Sequence, residues 1–336
     1  MAICKTDKRR LRRAICVTAL WAGVVLGWGV ESSVLAQEFP SKTIKIVVPY
    51  GPGGPTDVVA RLIAAHMQNS LKQSVIIENR AGAGSVIGAR AVASADPDGY
   101  TILIGNVSTY AIAPAIMKNP GYDPTKAFAP IVLTSDIGAV AVTQPGFPAN
   151  SIQEFVAYAK ANPGKVSFGS AGVGNSAHLI GELLKARAGI DIVHVPYRSG
   201  AEMSAAVVSG QVQIAFTDLS ASINLIREGN LKGLAITSTA RSPEFPNMPT
   251  MIESGFPDVV LRNWTGAAAP AGTPPAVVGK LLAAINQSLA SPELQATLKK
   301  IGAEAKPGTS EDLKALIAAD FKKWGDVAKA AGVSID

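Results

Sequence analysis

Two stretches decide the reading of this chain: IKIVVPYGPGGPTDVVARLIAAHM (residues 44–67) and KVSFGSAGVGNSAHLIGELLKARA (residues 165–188). Each runs from an Ile/Val-rich or β-type segment, through a glycine-rich loop, into a segment with helical periodicity that opens on small polar residues. The start of a helix leaves about four backbone N–H groups without an intrahelical partner. The helix dipole adds partial positive charge at the same end. Glycines ahead of the helix let a ligand approach the backbone without meeting a Cβ. Such a unit is a seat for an anion. Pro55 suits a first helical position, and Thr56 and Asp57 are capping residue types. In the second loop Asn175 and Ser176 are the cap candidates, and Ser170 adds a hydroxyl. Two seats facing across a cleft would hold a carboxylate by several charge-assisted hydrogen bonds, each worth roughly 1.5–3 kcal/mol. Glycine-rich turns before helices also serve merely to redirect the chain, so one such loop alone would say little. Neither loop matches G-x-G-x-x-G or G-x-x-x-x-G-K-[ST], and no acid is placed for a ribose, so a nucleotide is the weaker ligand class.

Working outward, strands and helices alternate along the chain. Strands are expected over 43–49, 75–78, 100–104, 166–169, 191–195, 212–216 and 234–237, and helices over 55–71, 85–93, 152–161, 177–188 and 202–209. The last part reads as helices over 275–290, 292–301 and 310–331. This rhythm predicts an α/β fold with each lobe a mainly parallel sheet flanked by helices. Two stretches break it: IVLTSDIGAVAVTQ (131–144) and RNWTGAAAPAGT (262–273). They bracket a central block and suit two extended hinge crossings between lobes. The expected organisation is a signal peptide over 1–36, a discontinuous first lobe over 37–138 plus 263–336, and a second lobe over 139–262.

The first 36 residues carry the pattern of a secretory signal. Lys5, Lys8, Arg9, Arg10, Arg12 and Arg13 form a basic head, an uncharged apolar run follows from Ala14 to Val30, and cleavage is expected after Ala36. An uncleaved anchor is the rival reading, and Arg9–Arg10 leaves the export route open between general secretion and the twin-arginine pathway. The whole chain carries a formal charge of +6; residues 1–36 hold six basic and two acidic groups, net +4, which leaves about +2 for the mature chain. The basic balance thus belongs mostly to the signal, and nucleic acid is not an expected partner. Both cysteines, Cys4 and Cys16, lie in the signal, so the mature chain has no thiol for a disulfide or a thiolate metal site.

The sequence resembles the substrate receptors of tripartite tricarboxylate transporters, the Bug receptors. The likeness is carried by FPSKTIKIVVPYGPGGPTDVVAR (39–61), ENRAGAGSVIGARAVASADPDGYTIL (78–103), YAKANPGKVSFGSAGVGNSAHL (158–179), HVPYRSG (194–200), PNMPTMIESG (246–255) and APAGTPP (269–275). The resemblance implies a two-lobed periplasmic binding protein of the type II-like, Venus-flytrap kind. It implies that the lobes close on a small carboxylated solute, and that a membrane permease with a large and a small subunit takes the solute over. Carried onto this sequence, the family's ligand loops are Gly53, Gly54, Thr56 and Asp57, and Ser170, Gly174, Asn175 and Ser176. Ala81 stands where the family usually has Pro, and Arg198–Ser199 replaces a common Lys-Gly pair.

Tyr50, Asn106, Thr109, Tyr197, Arg198 and Asp218 follow strands, where open α/β sheets bind ligands, and are candidates to line the cleft. His178 has two readings. With Glu182 it has a zinc-like spacing but no third ligand; as a first-turn histidine it would hydrogen-bond the loop. His66 and His194 read as structural, as does Trp264 in the second crossing, and Glu78–Asn79–Arg80 reads as a trio pinning a turn. No G-x-S-x-G elbow or metal set marks an enzyme, and no cofactor is expected. The expected partners are a carboxylate and a permease, with the receptor itself a monomer. A membrane sensor kinase is an alternative partner that the sequence does not separate from a permease.

Overall fold

The computed structural model describes residues 39–335. The expected signal and its expected cleavage site after Ala36 therefore lie outside the described residues. Pro40–Asp336 clusters as one compact unit.

The chain enters through β1 (Ile44–Val48), whose Ile44, Ile46 and Val48 are wholly buried. Val47 is buried on the opposite face, so the strand is covered on both faces beyond Lys45. Helix α1 (Pro55–Leu71) follows the first glycine loop and buries Val59, Ala60, Ile63, Ala64 and Met67, the i, i+4 stripe of an amphipathic helix. Next come β2 (Val75–Asn79), a tight turn (Ala83–Ser85), helix α2 (Val86–Ala93) and β3 (Thr101–Asn106). A five-residue π-helical turn, Ser108–Ile112, leads into the short helix α3 (Ala113–Ile116).

Strand β4 (Phe128–Thr143) is 16 residues long and belongs to two regions of sheet. Beyond it lie α4 (Ile152–Ala161), β5 (Val166–Ser170), α5 (Ser176–Ala188), β6 (Ile192–Pro196), α6 (Gly200–Val208), β7 (Ile214–Asp218), α7 (Leu219–Arg227) and β8 (Lys232–Ile236). The return strand β9 (Arg262–Pro270) is followed by α8 (Pro275–Leu289), α9 (Pro292–Lys300), β10 (Ala303–Ala305) and α10 (Ser310–Ala330).

The strands run in the order β2-β1-β3-β9-β4-β7-β5-β6, with β8 and β10 also pairing with β4. The parallel pairing expected from the strand-helix rhythm is present in β2-β1-β3 and in β7-β5-β6. The strands that link these sets are antiparallel: β4 with β9, β7, β8 and β10, and β3 with β9. The first part of β4 pairs with β9 as far as Gly138↔Arg262, and the remainder pairs with β7 from Ala139↔Asp218. Each region thus has the same plan, β2-β1-β3 beside β9 and β6-β5-β7 beside β4. The strand at which each region receives the chain from the other is the antiparallel one.

The crossing is tied by side chains. Arg262 pairs with Asp136, its Nε donating over 2.6 Å. The hydroxyls of Thr134 and Ser135 meet that of Thr265 at 2.6 and 2.7 Å. Trp264 is fully buried, stacks on Tyr110 and donates its indole N–H to Asp320 over 2.6 Å.

Candidate functional site

In the first region β1 and β3 run parallel, and Asn106, the last residue of β3, pairs with Thr265 near the start of β9. In the second region Asp218 ends β7 opposite Ala139. Because β5 and β6 run parallel with β7, the carboxyl ends of the parallel strands in both regions lie toward the crossing. This is where open α/β sheets place ligands.

The first loop, residues 51–54, is exposed apart from the half-buried Gly54. Gly53 takes φ +86°, a left-handed conformation that suits glycine. A Cβ added at Gly51, Gly53 or Gly54 would meet nothing within 4 Å. Sequence reasoning offers Thr56 and Asp57 as capping types. The N-cap falls instead on Gly54, extended at φ −75° and ψ 165°, with no side-chain cap, because Pro55 occupies the first helical position. Asp57 has a different role. It is 1% exposed, and its Oδ2 accepts from the Gly53 N–H at 2.9 Å and from Arg61 Nε at 2.8 Å. Its Oδ1 accepts from Asn79 Nδ2 at 2.8 Å, and that amide also reaches the Tyr50 carbonyl at 3.0 Å. Burial pushes the Asp57 carboxyl up, but the Arg61, Gly53 and Asn79 hydrogen bonds outweigh it and hold its pKa below the usual carboxylate range. Asp57 is therefore the post to which the loop is tied. Among the described residues, the N–H groups of Gly54, Thr56 and Asp57 have no protein acceptor, while Val58 N–H already bonds Gly54 O. Three donors thus stand at the positive end of a 17-residue helix, beside glycines that add no bulk.

A polar wall adjoins this loop. The Tyr50 hydroxyl donates to Asn106 Oδ1 at 2.5 Å and lies 2.9 Å from Thr109 Oγ1. Asn106 Oδ1 also receives the Ser108 N–H at 2.9 Å. Burial raises the Tyr50 pKa. Thr109 belongs to the π-helical turn, an element frequent at functional sites. The Thr109 hydroxyl is buried and already taken up by Tyr50 and by the Asn106 N–H at 3.3 Å, so it supports Tyr50.

The second loop is built differently. Gly172 and Gly174 take φ +124° and +77°. A Cβ on Gly174 would lie 2.4 Å from Ile116 Cδ1 and 2.7 Å from Ile335 Cδ1. Gly174 is thus a packing position against the first region. It also joins the two loops to one segment, residues 106–116, whose start, Asn106, accepts the Tyr50 hydroxyl and whose end, Ile116, fills the space beside Gly174. Ser170 is fully buried. Its Oγ lies 2.6 Å from His194 Nε2, donates to Gly172 O at 2.9 Å and receives the Gly172 N–H at 3.2 Å. Its hydroxyl is therefore spent inside the loop.

Of the two readings of His178, the loop-bonding one holds: its Nδ1 accepts the Gly174 N–H at 3.0 Å, which puts the ring proton on Nε2, 3.9 Å from Glu182. The rings of His178 and His194 stack at 3.8 Å, with Phe168 4.9 Å beyond His194. Burial, with a smaller contribution from its histidine neighbour, pushes His194 down to about 4, and burial lowers His178 as well. Asn175 is the N-cap as expected and takes the His178 N–H on Oδ1 at 2.9 Å. The N–H groups of Ser176 and Ala177 have no protein acceptor among the described residues.

The remaining candidates divide. Tyr197 sits against the second loop, its N–H donating to Ser170 O at 2.8 Å. Arg198 is exposed, and its backbone N–H bonds Glu202 at 3.0 Å. Asp218 receives Asn263 Nδ2, and burial raises its pKa, so its carboxyl is engaged at the crossing. His194 and Asn79 escape sequence reasoning because their partners, Ser170 and Asp57, are distant in the chain, whereas Arg61 pairs with Asp57 at i,i+4, a spacing that the sequence does offer. A cavity of about 460 Å³ lies elsewhere along the crossing, lined by Asp136, Gly138, Leu219 and the segments 238–244 and 302–306. Apart from lying near Asp218, it holds none of the loop residues. Among the described residues no cluster is placed for a metal, and no helix is long and apolar enough to cross a membrane.

The strand order, the crossed strands and the paired loops define a two-lobed binding-protein fold. The family model described as tripartite tricarboxylate transporter family receptor matches residues 59–333. The chain belongs to that family. It is similar to the periplasmic binding protein BugD, at 37% identity and TM-score 0.74, over 88% of this chain and 99% of that one. It is similar to MatC from Rhodopseudomonas palustris with bound malate, at 33% identity and TM-score 0.73, over 86% and 99% of the two chains. Rpa4515 of R. palustris with adipate matches at 33% identity and TM-score 0.77, over 88% and 99%.

Proposed function

We propose that this chain is an exported receptor that binds a small carboxylate between lobes 37–138 plus 263–336 and 139–262, and delivers it to a membrane permease with a large and a small subunit. The observation that carries the reading is the first helix start: three N–H donors without a protein acceptor, a glycine cap and open space in front of it. A carboxylate there gains charge-assisted hydrogen bonds and the helix dipole. Asn175 and Ser176, at the second helix start, complete the site from the other lobe when the two crossing strands bend. Hinge closure of this kind is favoured only by contacts that exist in the closed form. The solutes held by MatC and Rpa4515, malate and adipate, are both dicarboxylates, and they support a dicarboxylate as the ligand class. Delivery is tested in cells. Deleting the gene should abolish uptake of the bound acid, whereas uptake that persists with loss of acid-induced gene expression would assign the receptor to a sensor kinase instead.

A further inference from the structure

Beside the first loop, the chain makes a turn over residues 81–85 with an unusual backbone. Gly82, Ala83, Gly84 and Ser85 all have positive φ, at 133°, 45°, 62° and 86°. For alanine and serine this is a conformation that a Cβ makes unfavourable. Ser85 is also the N-cap of α2, yet its side chain makes no cap bond. It is 2% exposed, and its Oγ has no hydrogen-bond partner among the described residues. Serine at this position carries two separate costs, a left-handed backbone and a buried hydroxyl without a partner. Glycine would carry neither. Backbone outliers and unsatisfied buried polar groups of this sort concentrate at functional sites.

The place of Ser85 gives the hydroxyl a use. Gly88, one turn further along α2, lets the helix lie directly on β1's end: a Cβ there would come within 2.7 Å of Pro49 Cβ and 2.8 Å of Arg80 O. This close approach sets Ser85 beside Tyr50, near enough to temper the burial-driven rise of the tyrosine's pKa. Tyr50 has committed its proton to Asn106. The Ser85 hydroxyl lies close enough to the Tyr50 oxygen to act on it electrostatically, yet makes no hydrogen bond of ordinary geometry, so its proton is free to turn to a better acceptor.

We infer that Ser85 is a specificity-determining ligand contact, donating its hydroxyl proton to a carboxylate oxygen of the bound acid, so that the first lobe grips the ligand from two turns, 51–54 and 81–85. The inference rests on the carboxylate-receptor reading above. It differs from a packing role in what removal costs: a packing serine would lose stability and leave affinity alone, whereas a ligand contact loses affinity and leaves stability equal or higher.

The test is titration calorimetry of the exported chain and of Ser85→Ala and Ser85→Gly with malate, succinate, glutarate and adipate, alongside thermal unfolding without ligand. Ser85→Ala should weaken the best-bound acid about tenfold, with Tm equal to or above that of the parent. Ser85→Gly should lose affinity equally and raise Tm further, because it also relieves the left-handed backbone. If the parent binds an acid and both variants keep its Kd within twofold, the inference is overturned while the receptor reading stands. A large fall of Tm in both variants would equally overturn it, by showing the hydroxyl to be structural. If the parent binds none of the acids, the receptor reading itself fails and Ser85 falls with it.

Discussion

The two glycine loops share one sequence plan and are held by opposite means. The first is tied down by a carboxylate: Asp57 draws in Gly53 N–H, Arg61 and Asn79, and leaves the loop's outer face bare. The second is propped from beneath by two stacked imidazoles and wedged at Gly174 against Ile116 and Ile335. A strand-loop-helix pattern therefore specifies a helix start but not the support behind it. One loop is free to receive a ligand, and the other is partly occupied with joining the lobes.

Substitutions at matching positions should separate the two loops. The largest effect on binding is expected for Gly54→Val. Its backbone is extended, which valine accepts, and the new Cβ meets no protein atom. Affinity should fall by at least about 100-fold, roughly 2.8 kcal/mol, with Tm nearly unchanged. Gly174→Val should show the reverse order of effects. At φ +77°, with isoleucine atoms where its Cβ must go, Tm should drop by several degrees and affinity should fall as a consequence. Equal Tm for the two variants in a thermal scan would erase the contrast.

Asp57→Ala comes next. It strands a buried amide and frees the first loop, and should cost about 2–3 kcal/mol by urea unfolding. The same change should weaken ligand binding, because the loop carrying the donors loses its post.

Acid should act on the two loops in different windows. Both histidines titrate near 6.5 when unfolded, while folded His194 titrates at about 4 and His178 is lowered too. Between those values the unfolded chain binds more protons than the folded one. Stability should therefore fall as pH drops from about 6.5 toward 4, and stay flat above 6.5. Glu182, whose pKa burial raises and Lys185 tempers, offsets part of this fall. Asp57 has the opposite reference: its folded pKa lies below 3.8, so the stability it contributes is present above 3.8 and lost only at lower pH. Urea midpoints for the parent and His194→Asn from pH 7.5 to 4.5 check this, and the variant should show the flatter profile. The smallest effect is expected for Asn175→Ala, which removes a side-chain cap that Gly54 never had. It should cost about 1 kcal/mol.

The sequence shows much of this contrast, though not all of it. Helix starts at Pro55 and near Ser176 were legible from glycine spacing and periodicity. The stretches that broke the α/β rhythm proved to be β4 and β9, whose alternation and small residues reflect antiparallel pairing across two regions. Asn175 as cap and the Glu78–Arg80 pair were also readable locally, but Asn79 pins the first loop rather than its own turn. The π-helical turn at Ser108–Ile112 was not, since it obeys neither a strand nor a helix period, and β10 is only three residues long. Helix α7 hides in a short serine-containing run. The contacts that distinguish the loops escaped for one reason. Ser170 with His194, Gly174 with Ile335, and Asp57 with Asn79 are tertiary pairs that no local spacing encodes.

The central claim is that a carboxylate binds at the helix starts. Its most direct test is thermal unfolding of residues 37–336 with malate, succinate, glutarate and adipate, each beside its uncharged diamide. At about 100 times Kd, binding to the folded state adds roughly 2.7 kcal/mol, so at least one acid should raise Tm by several degrees and its diamide should not. An equal shift with the diamide, or a shift with none of the acids, would contradict the claim.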